Sequence, residues 1–521
     1  DGKEKITENY ETGDMFKTLI LKVGFNSKDG IMNPCQHMFD DTVPAVDTSG
    51  KNSYKAVQFF PSDGAGGQTC SVLLKRDKND EYQMFTESNE VFYDNTIVEF
   101  RYDGRWIPLR IRWDKTIQLL ENVPGSISYG NDYKTADSNW KSIHYPIEET
   151  MLRTGVGIPK FTDTYYLQSA VSRKKTSLQR FHNLFVKHTL ISSVSKPGDI
   201  LMDFSIGKGG DIPKWIYSKL SFVFGLDVAR EGVEGFYNSA CSRYMDQKLK
   251  SVEPIPDAIF LVGDSSSNIR TGDALEERHR IHAKAIFGEG DKSRLGKGVL
   301  KHYGVGKNGF NITSMQFALH YMFENSVKLH GFLRNVSECT RVGGYFIGTC
   351  YDGSRVFKLL QDKKMEETVY FGEDTTICEI IKLYNQPEFN PDESSLGYKI
   401  SVFQNTIGQP IEEYLVHFEY LTRLMENYGF VIIPEEEAVS MGLTTGCAGF
   451  SELFRLMNHQ IQTGISSPED YGTAPRMNTE EKRLSFLNNY FIFKKVREVD
   501  AESVGRVQKE PVKAKKGKKI T

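Results

Sequence analysis

Over the first 120 residues apolar and polar positions alternate in short runs, FKTLILKVGF, AVQFFP, CSVLLKR, TIVEFRY and WIPLRIRW, broken by clusters of Gly, Pro, Asn and Asp. A period of two buries one face of a strand, so this stretch predicts five or more antiparallel strands in a small barrel. Residues 121–160 are rich in turn formers and hold no long periodic run, which predicts a linker. From 165 the period becomes helical. Leu178, Phe181, Phe185 and Leu190 share one face, and Arg173, Lys174, Lys175 and Arg180 lie opposite. Beyond 198, strand-length apolar runs (ILMDF, SFVFGLD, DAIFLVGD, GFNITSMQF, GYFIGTC) are separated by helical patterns, and LNNYFIFKK closes the series after an excursion over 434–480. This alternation predicts an α/β domain over 161–500, followed by a basic, flexible tail over 501–521.

A chain of 521 residues exceeds one hydrophobic core and implies two or three domains. Its 39% apolar and 26% charged composition is that of ordinary globular protein, and no apolar run approaches a bilayer-spanning length. A net charge of −3 does not announce a nucleic-acid binder, although the lysine-rich end EPVKAKKGKKIT is a local exception. The seven cysteines are odd in number, widely spaced and without a C-x-x-C pair, so reduced, mostly buried thiols are expected. The chain starts with Asp, which suggests a piece of something longer.

The densest chemistry lies in GDILMDFSIGKGGDIPKW, residues 198–215. It reads as a buried strand, a turn of Gly207, Lys208, Gly209 and Gly210, and a helix beginning near Asp211. Glycines there allow a sharp turn and close approach of backbone to a ligand. The next strand ends in Asp227, about twenty residues on, where a carboxylate can accept hydrogen bonds from ribose hydroxyls. The spacing is not G-x-G-x-x-G, and Lys208 stands where a dinucleotide fold wants an uncharged residue. S-adenosylmethionine suits the turn better than NAD.

D-x-x-x-G-K-G-G-D-x-x-K-W from Asp203 to Trp215, FNITSMQFALHYMFEN at 310–325 and RVGGYFIGTCYDG at 341–353 together resemble three motifs of messenger-RNA cap (guanine-N7) methyltransferases, in order and spacing. The resemblance implies an α/β, Rossmann-like class I fold that uses S-adenosylmethionine as cofactor, acts on the GpppN 5′ end of capped mRNA, and needs neither a metal nor a catalytic base. It implies cofactor contacts at Lys187, Asp203, Gly207, Lys208, Asp227, Asp264, Ser265, Gln316 and Phe317. Cap contacts fall at Asn183, His320, Tyr321 and Glu413, with Tyr490 for the aromatic that stacks on the cap and Tyr351 and Asp352 as further lining candidates.

DNTIVEFRYDGRWIPLRIRWDKT is similar to the last conserved segment of the oligonucleotide/oligosaccharide-binding (OB-fold) lobe of mRNA guanylyltransferases, so residues 1–120 are expected to form that lobe. Arg110, Arg112, Asp114 and Lys115 then occupy its phosphate-binding positions, because alternate arginines on a strand share a face. The nucleophile motif K-x-D-G is absent, so guanylyl transfer is not expected from this chain. Asn131, Ala136, Trp140, Ile143 and Pro146 match the linker of large multifunctional viral capping enzymes. That layout implies upstream guanylyltransferase and triphosphatase domains and a cytoplasmic location; some viral capping methyltransferases resembling this chain also require a small activating subunit, and the sequence leaves open whether this one does. Two other readings remain at this stage: a non-catalytic cap-docking half of a capping complex, and a methyltransferase for another base.

Overall fold

The computed structural model describes residues 175–507 apart from 236–237, 252, 373–375 and 406–408. Before 175 it describes 18–25, 34–42, 54–60, 68–76, 82–93, 95–102, 106–121 and single residues between 130 and 153. Arg173, Lys174, Trp140, Ile143, Pro146 and the lysines after 508 lie outside the described residues. The chain divides into two compact units, one of residues 1–32, 44–162 and 169–171, the other of 33–43, 163–168 and 172–521. Among the described residues no helix is long and apolar enough to cross a membrane.

The first unit is built on a six-stranded antiparallel sheet of β1 (Thr18–Phe25), β2 (Tyr54–Phe60), β3 (Gln68–Arg76), β4 (Tyr82–Met84), β5 (Ile97–Tyr102) and β6 (Trp106–Ile111), in the order β4-β3-β2-β1-β5-β6. Its core holds Leu19, Leu21, Val23, Val98 and Phe100, the inward members of the alternating pattern. The expected linker belongs to this unit. Asn131 exchanges hydrogen bonds with the backbone of Ile20 at 2.7 and 2.8 Å, and Ala136 is buried in the core.

The second unit centres on an eight-stranded sheet. Its strands are β7 (Ile200–Asp203), β8 (Phe222–Asp227), β9 (Asp257–Val262), β10 (Phe310–Gln316), β11 (Thr340–Tyr351), β16 (Phe430–Ile432), β17 (Cys447–Gly449) and β18 (Asn488–Lys495). The main path runs β16-β18-β11-β10-β7-β8-β9, with β7 to β11 parallel and β18 antiparallel to β11. Helices cover these strands, so β8 and β9 read as near-continuous apolar runs, while β10 is buried along its whole length with Asn311, Thr313, Ser314 and Gln316 among its residues. The chain order reverses between β7 and β10, and in such sheets ligands bind outside the carboxyl ends of the strands at that point. Asp203, Asp227, Gln316 and Tyr351 are the last residues of β7, β8, β10 and β11.

A second antiparallel sheet, β12 (Thr368–Phe371), β13 (Cys378–Lys382), β14 (Lys399–Gln404) and β15 (Pro410–Tyr414), carries Glu413 and has its own core around Tyr351, Ile380, Ile400 and Val402. Sequence reading did not foresee it.

Two expectations are corrected here. Cys35 and Cys241 form a disulfide, while Cys339, Cys350, Cys378 and Cys447 are free thiols. The pairing was invisible in the spacing because 206 residues separate the partners, and the short helix Pro34–Asp40 joins the second unit rather than the sheet that flanks it in sequence. The tail does not begin at 501, since Ala501–Val507 is a helix with Ala501 buried and Glu502 paired to Arg334 at 3.0 Å.

Candidate functional site

The cofactor half of the site is assembled by carboxylates that organise backbone. Asp203 is buried at the end of β7 and accepts from the Ser205 N–H at 3.0 Å. Asp227 accepts from Gly207 N–H at 2.8 Å and from Ala229 N–H at 2.9 Å, so the acid expected at the ribose also pins the glycine turn. Each of its oxygens retains a lone pair for a ligand. Gly207 and Gly209 take φ of +52° and +68°. A Cβ on Gly209 would meet Ile212 Cδ1 at 2.9 Å and Ala240 Cα at 3.1 Å, which explains glycine there. Lys208 is half-buried, burial lowers its ammonium pKa, and its carbonyl accepts from Arg243 at 2.9 Å.

Asp211 is held by two ammonium groups, Lys187 at 3.0 Å and Lys214 at 2.8 Å. Burial alone would raise its carboxyl; the two lysines outweigh that and keep it well below the usual carboxylate range. Asp203 goes the other way. Burial first, then the neighbouring charges of Asp211 and Asp227, push it up to about 8. A cationic ligand group beside Asp203 would favour its ionised form, so the donor set fits a cofactor that carries a sulfonium and an ammonium.

Lys187 and Asn183 come from three helical segments laid end to end, Ser177–Arg180, the π-helical Phe181–Val186 and Lys187–Val194. The spacing predicted an α-helix; the π turn closes with Lys187 N–H donating to His182 carbonyl. Asn183 is half-buried and donates to Gln179 carbonyl at 2.9 Å. Gln316, at the end of β10, donates to Ser314 Oγ and accepts from Thr349 Oγ1, both at 3.1 Å. Phe317 follows in the left-handed region at φ +57°.

The second half lies around the 3₁₀ turn Leu319–Glu324 and β15. His320 and Glu413 are 4% and 3% exposed, with His320 Nε2 3.8 Å from Glu413 Oε1. Burial drives the imidazole down to about 3 and the carboxyl up to about 8, so the pair is neutral rather than a salt bridge. Both His320 nitrogens and Glu413 Oε2 lack hydrogen-bond partners among the described residues. Buried polar atoms left so are costly, and their concentration here marks a place built for polar ligand edges. The half-buried Tyr321 ring meets His320 edge-on, 4.2 Å between centroids.

Other expected contacts are redirected. Ser265 is buried and its hydroxyl donates to Phe204 carbonyl at 2.7 Å, whereas Asp264 is exposed and accepts from Ser266 N–H. Asp352 caps the helix Gly353–Leu359 and accepts from Asn489 Nδ2 at 3.1 Å. Tyr490 is fully buried in β18 with its hydroxyl donated to Thr445 carbonyl at 2.8 Å, so it offers no open face for stacking. In the first unit Arg110 pairs with Glu99 at 2.8 Å and Arg112 with Asp114 at 2.9 Å. Arg112 caps the helix Trp113–Leu120 instead of extending β6, which takes Asp114 and Lys115 off the strand as well. The expected row of phosphate-facing arginines is therefore two internally neutralised pairs. Sequence reading gave no role to His182, which precedes Asn183 in the segment HNLFVK and stacks on Phe317, or to Asn489, which precedes Tyr490 and is buried with Oδ1 unpartnered among the described residues.

A sequence model described as the mRNA (guanine-N(7))-methyltransferase domain matches residues 162–496. The probable mRNA-capping enzyme of Acanthamoeba polyphaga mimivirus is 26% identical over 466 residues, covering 80% of this chain and 38% of that protein. The mRNA cap guanine-N(7) methyltransferase of Saccharomyces cerevisiae is 26% identical over 335 residues, 63% of this chain and 66% of that one. This chain thus spans less than two thirds of either relative. Among solved structures, the CcbJ methyltransferase of Streptomyces caelestis superposes with a TM-score of 0.34 at 9% identity, over 64% of this chain and 98% of that one, too loosely to carry an argument.

Proposed function

This chain belongs to the mRNA (guanine-N(7))-methyltransferase family, and from that premise we propose that it methylates N7 of the guanine in a GpppN cap with S-adenosylmethionine as donor. The observation that carries the reading is the buried Glu413 carboxyl with an unpartnered oxygen beside His320. Guanine offers N1–H and N2–H side by side, which a carboxylate accepts in parallel. A base lacking those donors would leave the acid buried and unpaired, at a cost on the order of 1–3 kcal/mol.

The cofactor supplies an electrophilic methyl group on a sulfonium. Guanine N7 has a lone pair and no proton, so this chain's residues need only bind and align. Asp203, Asp227 and the Gly207–Gly210 turn hold the cofactor, with Lys187 locked on Asp211 behind them and Gln316 and Phe317 at its border. Asn183, His320, Tyr321 and Glu413 hold the base, and the Tyr321 ring suits a product that is a cation.

In the whole protein this unit is proposed to act in the cytoplasm, downstream of guanylyltransferase and triphosphatase domains and with a small activating subunit. The name of the mimivirus relative supports the capping context. The first unit's antiparallel sheet is proposed to be the OB-fold lobe of such an enzyme. Titrating the full chain with GpppA and ApppA in the presence of S-adenosylhomocysteine tests the reading. GpppA should bind at least about tenfold more tightly, and Glu413→Gln should remove most of that preference; equal affinities would overturn it.

A further inference from the structure

Phe317 poses a problem that the motif residues do not solve. A left-handed phenylalanine is strained and persists only where its surroundings impose it. At φ +57° its N–H donates to the Thr349 carbonyl at 2.8 Å and to Thr349 Oγ1 at 3.1 Å, which fixes the backbone from one side. From the other side its ring lies face to face with His182, 5.2 Å between centroids and 19° between planes, with Phe450 edge-on at 6.0 Å.

His182 is itself held. Its Nε2 is 2.8 Å from Ser485 Oγ, and Phe450 meets its ring edge-on at 5.1 Å. Its carbonyl accepts from Lys187 N–H to close the π turn that carries Asn183. The His182 side chain therefore links the segment bearing Asn183 and Lys187 to the turn at the end of β10.

We propose that His182 is a positioning residue for methyl transfer: its imidazole, tied to Ser485, clamps the Phe317 turn that borders the cofactor, in register with Asn183 and Lys187. The inference rests on the methyltransferase reading above. Burial, reinforced by Lys187, pushes the imidazole down to about 3, so the clamp is neutral and sets no cation beside a sulfonium.

The test uses the full chain and single-turnover transfer from labelled S-adenosylmethionine to GpppA at saturating concentrations of both, with cap affinity measured separately. His182→Ala should lower the rate about tenfold or more, because small misplacements of reacting atoms are expensive, and leave GpppA affinity within about twofold. His182→Phe keeps the ring and should recover most of the rate, which a general loss of folding would not allow. A wild-type rate in folded His182→Ala, or rate and cap affinity falling together in both variants, overturns the inference. A wild-type chain that binds cofactor and transfers nothing to GpppA overturns the functional reading, and this inference with it.

Discussion

Glu413 ties pH to both folding and binding, with opposite signs. Its carboxyl is raised from 4.5 to about 8 in the ligand-free fold, so the protonated form favours folding. Its stabilising contribution is complete below about 4.5 and drains away as pH rises towards about 8. Guanine's donors require the carboxylate, so cap binding expels the proton. Affinity for GpppA should fall by up to roughly tenfold per unit as pH drops below about 8, and the dependence should flatten in Glu413→Gln. Isothermal titration across pH 6 to 9 checks this, and a flat wild-type profile would refute it. At the glycine turn, Gly209→Ala must carry a Cβ at φ +68° into Ala240 and Ile212. It should destabilise the fold by roughly 1–2 kcal/mol and weaken S-adenosylhomocysteine binding at least about tenfold, read by thermal melts and dialysis. These residues were legible because each is tied to a motif whose chemistry restricts residue type. Tyr490 was not, since an aromatic in a strand looks the same whether it faces a ligand or, as here, donates its hydroxyl to Thr445 in the core.

The parallel strands β7, β8 and β9 announced themselves as elements through short, mostly apolar runs, and β10 and β11 through the motifs they carry. The sheet that carries Glu413 did not, because KISVFQ and PIEEY are short, half-polar strands whose pairing partners are set by tertiary contact. The π turn over Phe181–Val186 is invisible for a similar reason: its residues have ordinary helical periodicity, and only the Lys187 N–H bond to His182 reveals the extra residue. The helix Pro34–Asp40 is the sharpest case. Seven residues between two strands of one unit lie in the other, fastened by Cys35–Cys241. Cys35→Ser should lower the melting midpoint under oxidising conditions by roughly 5–10 °C while leaving the transfer rate at 25 °C unchanged. An unaltered midpoint would show that the bridge does not stabilise the protein.

For the whole molecule, strand order explains why one end of the second unit collects the chemistry. The reversal between β7 and β10 brings Asp203, Asp227, Gln316 and Tyr351 to the carboxyl ends of adjacent strands. Arg110 and Arg112 of the first unit are paired with Glu99 and Asp114, so Arg110→Ala with Arg112→Ala should leave methyl transfer within about twofold. The central claim is that this chain methylates capped guanine at N7. It is tested most directly by incubating the full chain with labelled S-adenosylmethionine and either GpppA-capped or 5′-triphosphate RNA, then digesting the product to nucleosides. Label recovered only from capped RNA, and only as 7-methylguanosine, is the predicted result. Label on uncapped RNA, or on another base or position, would contradict it.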